Sequence, residues 1–150
     1  MALNFNQYAS EGYHFLKEYS KALNLEGRPE QAGRIFSAIM YAMRDIIPPE
    51  ESIQLVAQLP MFLKGVYVNG WSMKKDKPRI KRMEDLVALV KKYDYPAADS
   101  DFEYNDELVE RYIDATFIFM RKYISAGELN DIRSGLPKEL KSIIFSNIAI

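Results

Sequence analysis

Chemistry in this sequence could come from one histidine, two charge-segregated stretches and a lone tryptophan. His14 has Glu11 three residues before it and Glu18 four after, so on a helix a carboxylate would flank the imidazole. Such a neighbour raises a histidine's pKa and suits it to general acid–base work. No nucleophile accompanies it, and one histidine without a Glu-x-x-His pair makes a poor metal site. A partly exposed helix residue is the expectation. The stretch Asp94, Asp99, Asp101, Glu103, Asp106, Glu107 and Glu110 carries seven acids and no base. Calcium favours such oxygens, yet the calcium-loop spacing with its central glycine is absent, so a solvated loop and helix start is expected. The basic stretch Lys74, Lys75, Lys77, Arg79, Lys81 and Arg82 mirrors it. It could meet phosphates or an acidic partner. The simpler expectation is a soluble linker that pairs with the acids of its own chain.

Composition removes several classes. The net charge of −1 argues against a general nucleic-acid binder, and no glycine-rich phosphate loop or dinucleotide fingerprint is present. The absence of cysteine excludes disulfides, thiolate catalysis and cysteine metal sites. The first residues show no signal-peptide pattern, and apolar runs such as Phe117-Ile118-Phe119-Met120 fall far short of the ~20 residues a membrane span needs. A cytoplasmic protein with no membrane partner is expected. At 48% apolar and 27% charged residues over 150 positions, one self-sufficient domain, 1–150, is expected.

The elements that must position these residues are organised around Gln58-Leu59-Pro60-Met61-Phe62-Leu63-Lys64-Gly65-Val66-Tyr67. Proline costs about 3 kcal/mol inside a helix but nothing at its first position, so Leu59-Pro60 predicts a break between two short helices. The step recurs 77 positions on as Leu136-Pro137, with Leu140 and Lys141 matching Leu63 and Lys64. Upstream, Met43-Arg44 matches Met120-Arg121, Ile47 matches Ile124, Glu51 matches Glu128 and Leu55 matches Ile132. A fixed offset over some thirty positions predicts a duplicated helical unit, with copies at about 8–71 and 82–147 joined by a linker at 72–81. Two copies suit a closed pseudo-symmetric domain of about four helices each, burying their apolar faces against each other.

Helical periodicity runs through the chain. Tyr8 to Leu23 carries an apolar face at three- and four-residue spacing, and Ala32 to Ile47 carries a wider stripe that must be core. Pro48-Pro49-Glu50-Glu51 opens a third helix, and a fourth runs from Pro60 to about Val68, stopped by Asn69-Gly70. In the second half a helix ends near Tyr93, Tyr95 to Asp101 is predicted as loop, and Asn105 caps a long helix. Ser125-Ala126-Gly127-Glu128 has capping-box spacing. Pro137 begins a last helix predicted to end near Asn147. No stretch alternates with period two, so the fold class is all-α. Most methionines, including Met40, Met43 and Met120, fall at core spacing; an adaptable Met-lined groove is the alternative.

These motifs resemble a known family. Met43-Arg44-Asp45, Pro49-Glu50-Glu51, Gln58-Leu59-Pro60, Leu63-Lys64-Gly65-Val66-Tyr67 and Gly70-Trp71 resemble the bacterial family catalogued as domain of unknown function 2267 (DUF2267). In that family an arginine-rich helix leads into a Leu-Pro step and a Tyr-x-x-Gly-Trp ending. The resemblance covers roughly Phe15 to Phe145. The sequence departs at Lys64, where arginine is commoner, and in an extra loop around Tyr95 to Asp101. The resemblance implies an all-helical duplicated domain and carries over no catalytic residue.

No catalytic, metal-ligating or cofactor-binding residue is assigned, and no cofactor is expected. Tyr67, Trp71, Lys74, Lys75 and Arg79 are the candidates for contact with a partner or ligand, although Trp71, just past a helix end, is expected to fold back onto Tyr67. A non-enzymatic interaction or scaffold domain, binding another protein or itself, is the first expectation. A binder of an apolar small molecule or lipid between the two copies is the second. An enzyme using carboxylates and tyrosines is the third, without paired acids in the sequence to support it. The basic linker is expected to give no meaningful nucleic-acid affinity, because surface charges are screened beyond ~8 Å at physiological salt and no aromatic platform accompanies the lysines. Titration of labelled DNA and RNA at ~150 mM salt checks this. Micromolar binding that is lost when Lys74, Lys75 and Arg79 become glutamate contradicts it.

Overall fold

The computed structural model describes residues 3–73 and 77–144. Among them every regular element is helical: α1 Phe5–Ala22, α2 Pro29–Ile46, α3 Pro49–Gln58, α4 Met61–Val68, α5 Met83–Tyr93, a single turn α6 Ala98–Asp101, α7 Asp106–Phe119 and α8 Ala126–Gly135. Shorter 3-10 helices follow at Met120–Lys122 and Lys138–Ile143. None of the described helices is long and apolar enough to cross a membrane.

The α2 helix is the central member and packs against α1, α4, α5 and α7. Its stripe is wide enough to serve several neighbours: Ile35, Phe36, Ile39, Met40 and Met43 are all buried. An aromatic cluster ties these elements together. The Phe15 ring on α1 meets Phe36, Phe62, Phe119 and Tyr123 with centroids 5.0 to 5.8 Å apart. One turn on, the sealed Tyr19 hydroxyl lies 2.7 Å from Thr116 Oγ1, which itself donates to the Tyr112 carbonyl at 2.6 Å. The threonine's proton is thus committed, so Tyr19 donates, and no buried hydroxyl of the pair is left unpaired.

Both Leu-Pro steps break the chain as the sequence requires. Leu59 and Leu136 hold ψ of 147° and 152°, extended values that the following proline imposes, and both are 4% exposed. A lysine then closes each helix end that the proline leaves open. Lys64 Nζ donates to the Val56, Ala57 and Leu59 carbonyls at 2.9, 3.1 and 2.5 Å. Lys141 Nζ donates to the Arg133 and Ser134 carbonyls at 3.2 and 3.0 Å. A cation on the last carbonyls also complements the negative end of the helix dipole. The offset of 77 residues that relates the two lysines also separates Pro49 from Ala126 and Gln58 from Gly135, the ends of α3 and α8.

The arginine of the Met43-Arg44-Asp45 motif serves the same purpose at α4. Arg44 is 6% exposed and its Nη1 donates to the Tyr67 and Asn69 carbonyls at 2.8 and 2.7 Å. Gly70 turns the chain there with φ of +69°, a conformation that favours glycine.

Three expectations are corrected. Tyr95–Asp101 is not all loop, because Ala97 and Ala98 behind Pro96 form the α6 turn, with Asp101 and Phe102 amides donating to the Ala97 and Ala98 carbonyls. The last described element is a 3-10 helix over Lys138–Ile143, and the end predicted near Asn147 lies outside the described residues. Half of the capping box is missing. The Ser125 hydroxyl accepts from the Glu128 amide at 3.1 Å, but the Ser125 amide donates to Gln58 Oε1 of α3 instead of to Glu128.

Leu59→Ala and Leu136→Ala are each expected to cost about 2–5 kcal/mol in urea denaturation. Lys64→Met should cost about 1–2 kcal/mol, because three helix-end carbonyls lose their donor. A Lys64→Met protein as stable as its parent would show that the lysine only rests there.

Candidate functional site

A trench runs along α1, walled by α2 and α4. Two apolar hollows of about 410 and 290 Å³ line it, and Leu16 borders both. Its floor is made low by small residues. On α2, Pro29, Gly33 and Ser37 recur every four positions, and on α1, Gly12 lies one turn before Leu16. A Cβ at Gly33 would touch Leu16 Cδ1 at 3.6 Å, and one at Gly12 would touch the Phe62 ring at 3.7 Å. Phe62 and Val66 of α4 are partly buried and form the far wall. Tyr13, 76% exposed, stands at the near rim. Charges enter only at one end, as Lys17, Lys21 and Glu26. Lys21 reaches Glu18 at 3.7 Å, whereas Lys17 forms no ion pair among the described residues.

A further hollow of about 430 Å³ opens between α1 and Tyr123, with Phe62 as the shared wall. His14 is exposed on it beside Glu11, Ser10 and Pro60. The histidine therefore stands as the exposed helix residue anticipated from its neighbours.

The other nominated residues fall elsewhere. Tyr67 is not available as a contact: it is 1% exposed, its hydroxyl lies 2.7 Å from Ser52 Oγ, and burial pushes its pKa up to about 12. Trp71 stands edge-on to Tyr67 with ring centroids 5.9 Å apart, as its position past the helix end implied, and stays partly exposed. Arg79 is exposed, and Lys74 and Lys75 lie outside the described residues. The pairing expected between linker and acidic stretch takes other forms where it is described. Arg82 reaches its own neighbour Glu84 at 3.8 Å, while Asp101 is held by Arg34 and Asp106 by Lys91.

Two carboxylate centres escaped the sequence reading. In the first, Asp94 and Asp101, 5% and 2% exposed, face each other at the end of α5. Arg34 grips Asp101 with two hydrogen bonds of 3.0 and 2.8 Å, and this with the Asp94 contact keeps the Asp101 pKa low against its burial. Asp94 takes the opposite course. Burial, then the hydrogen bond and charge of Asp101, push it up to about 7, opposed by Arg34. Below about pH 7 a proton is favoured on Asp94 while Asp101 stays ionised.

The second centre lies where α3 meets α8. Glu51, Glu128 and Asp131 bring one carboxylate oxygen each to within 4.8 Å of one another. Burial, the contact with Glu51 and the charges of Glu51 and Asp131 push Glu128 up to about 8. Glu51 and Glu128 are matched at the 77-residue offset in the sequence, which singles both out without showing that they meet. Asp131 had no such signal.

The described residues form an all-helical fold with an open apolar trench along α1. The chain belongs to the family described as "Uncharacterized conserved protein (DUF2267)", whose profile matches residues 12–143. No match is found among curated proteins.

Asp94 sets a pH dependence whose sign is fixed. Its folded pKa is above the ordinary 3.8, so the stability it lends is full below about pH 4 and is lost as pH rises through about 7. Asp94→Asn, neutral at every pH, should flatten that decline and gain on the order of 2 kcal/mol over the parent between pH 5 and 8. Urea denaturation at both pH values measures it. Parallel curves for parent and variant would show that Asp94 is ionised throughout.

Proposed function

We propose that this chain is a non-enzymatic interaction domain whose trench takes an amphipathic helix of a partner protein. The observation that carries the reading is the trench itself, whose central stretch between Gly33, Leu16 and Phe62 carries no charge and has a floor of small residues. Small residues let a second helix approach closely, and anchors at three- and four-residue spacing could seat in the two hollows. Lys17 at the charged end lacks an ion pair among the described residues, so the partner helix carries an acid there. The perturbed carboxylates of Asp94 and Glu128 do not line the hollows, which favours binding over catalysis in the trench. The small-ligand alternative draws less support, because both apolar hollows lie against α1 and α2 and not between the two copies.

The domain is also read as a duplication. Support comes from the coincident ends of α3 and α8, the paired buried leucines and the two lysines closing equivalent helix ends.

Selection of displayed helical peptides on the intact protein tests the docking role. Enriched sequences should show apolar residues at i, i+3 or i+4 and i+7 with an acid at one end, and should lose at least tenfold in affinity on a Gly33→Phe protein whose thermal unfolding is unchanged. Peptides that bind Gly33→Phe as well as the parent, or a selection without enrichment, would overturn the trench as a docking face.

A further inference from the structure

We propose that Glu51, Glu128 and Asp131 form a binding site for a hard divalent cation, held between α3 and α8. Three carboxylates converge there with one oxygen each within 4.8 Å of the others. Opposite oxygens around a calcium ion stand about 4.6–5.2 Å apart, so a cation fits among these three without moving the backbone. Carboxylate oxygens are the donors that calcium, magnesium and manganese prefer.

A second observation separates this group from an ordinary acidic surface. Glu128 is 5% exposed, and its Oε2 is sealed from solvent, where the carboxyl meets only that of Glu51, two acids that need a proton or a cation between them. Glu51 Oε2 is in the same position. Burying an unpaired carboxylate oxygen is costly, and native structures normally satisfy such atoms. The orientation of Glu128 has an identifiable cause. At its place in the helix the side chain would ordinarily turn back to the Ser125 amide. Gln58 Oε1 accepts from that amide at 2.9 Å, so the Glu128 carboxylate is released toward Glu51. Lys21, Arg34, Arg82 and Lys91 are engaged in ion pairs with other acids. A cation supplies a partner for the two sealed oxygens in place of a shared proton. Asp131, exposed at the rim, leaves a path for the ion to enter and for water to complete its shell.

Calorimetric titration of the full chain with calcium chloride and with manganese chloride at pH 7.5 tests the site, with thermal unfolding measured in parallel. One saturable site is expected, with a rise in Tm as the ion fills it. Asp131→Asn changes an exposed residue and should fold as the parent does, yet bind about tenfold more weakly or worse, because affinity follows the number of ligand charges. Glu128→Gln should do the same, while Asp99→Asn, in the other acidic stretch, should leave binding unchanged. No saturable binding up to about 10 mM of either ion would overturn the proposal and leave the carboxylates holding only a proton. Binding that Asp131→Asn leaves intact, or that Asp99→Asn weakens, would overturn it equally.

Discussion

Two prolines without an N–H group set the layout of this domain. Pro60 and Pro137 hold the preceding leucines extended, so α3 and α8 stop at positions where apolar periodicity alone would let them run on. The stop is completed from a distance, by Lys64 and Lys141 reaching back to carbonyls that would otherwise lack donors. Each leucine is then anchored in the core, and the chain must leave in a new direction. The α4 helix, starting afresh after Pro60, returns onto α1 and α2. Its Phe62 thereby meets Phe15 in the aromatic cluster and supplies the far wall of the trench. Had α3 continued, α1 and α2 would have no third wall beside them.

The same steps create the carboxylate centre between α3 and α8. Both helices are short because of the prolines, and their packing brings Gln58 to the start of α8. The glutamine takes the amide that Glu128 would ordinarily cap, and the acid turns inward. One hydrogen bond between α3 and α8 thus leaves a helix-start residue as a buried carboxylate facing Glu51. Arg44 illustrates a related economy at α4, where a buried guanidinium stacked 4.3 Å over the Tyr41 ring closes a helix end.

The elements were legible in sequence because proline, capping residues and periodicity act locally. Pro29, Pro49 and Asn105 begin helices where they were read to begin, and Gly70 turns the chain. The α6 turn was missed since the acids in it resemble a loop, while Ala98 and the preceding Ala97 carry the helical preference. The candidate contacts fared differently for physical reasons. Tyr67 and Trp71 sit in a motif that closes α4, so their conspicuous chemistry serves packing. The trench was hidden because it is built from residues chosen for being small, and Gly12, Gly33 and Ser37 leave no mark in a sequence until three helices are placed side by side. Asp94 with Asp101 and Arg34 shows the same limit, since a pair whose pKa values are driven apart depends on a contact across 67 residues.

The trench is the feature on which the functional account rests, and amide chemical shifts read it most directly. In a titration of isotope-labelled protein with a trench-selected helical peptide, the largest changes should fall on Gly12, Leu16, Gly33 and Ser37, with Tyr13 and Val66 at the edges. Changes centred on Arg79 and the residues around it, with the α1–α2 amides unmoved, would contradict the account.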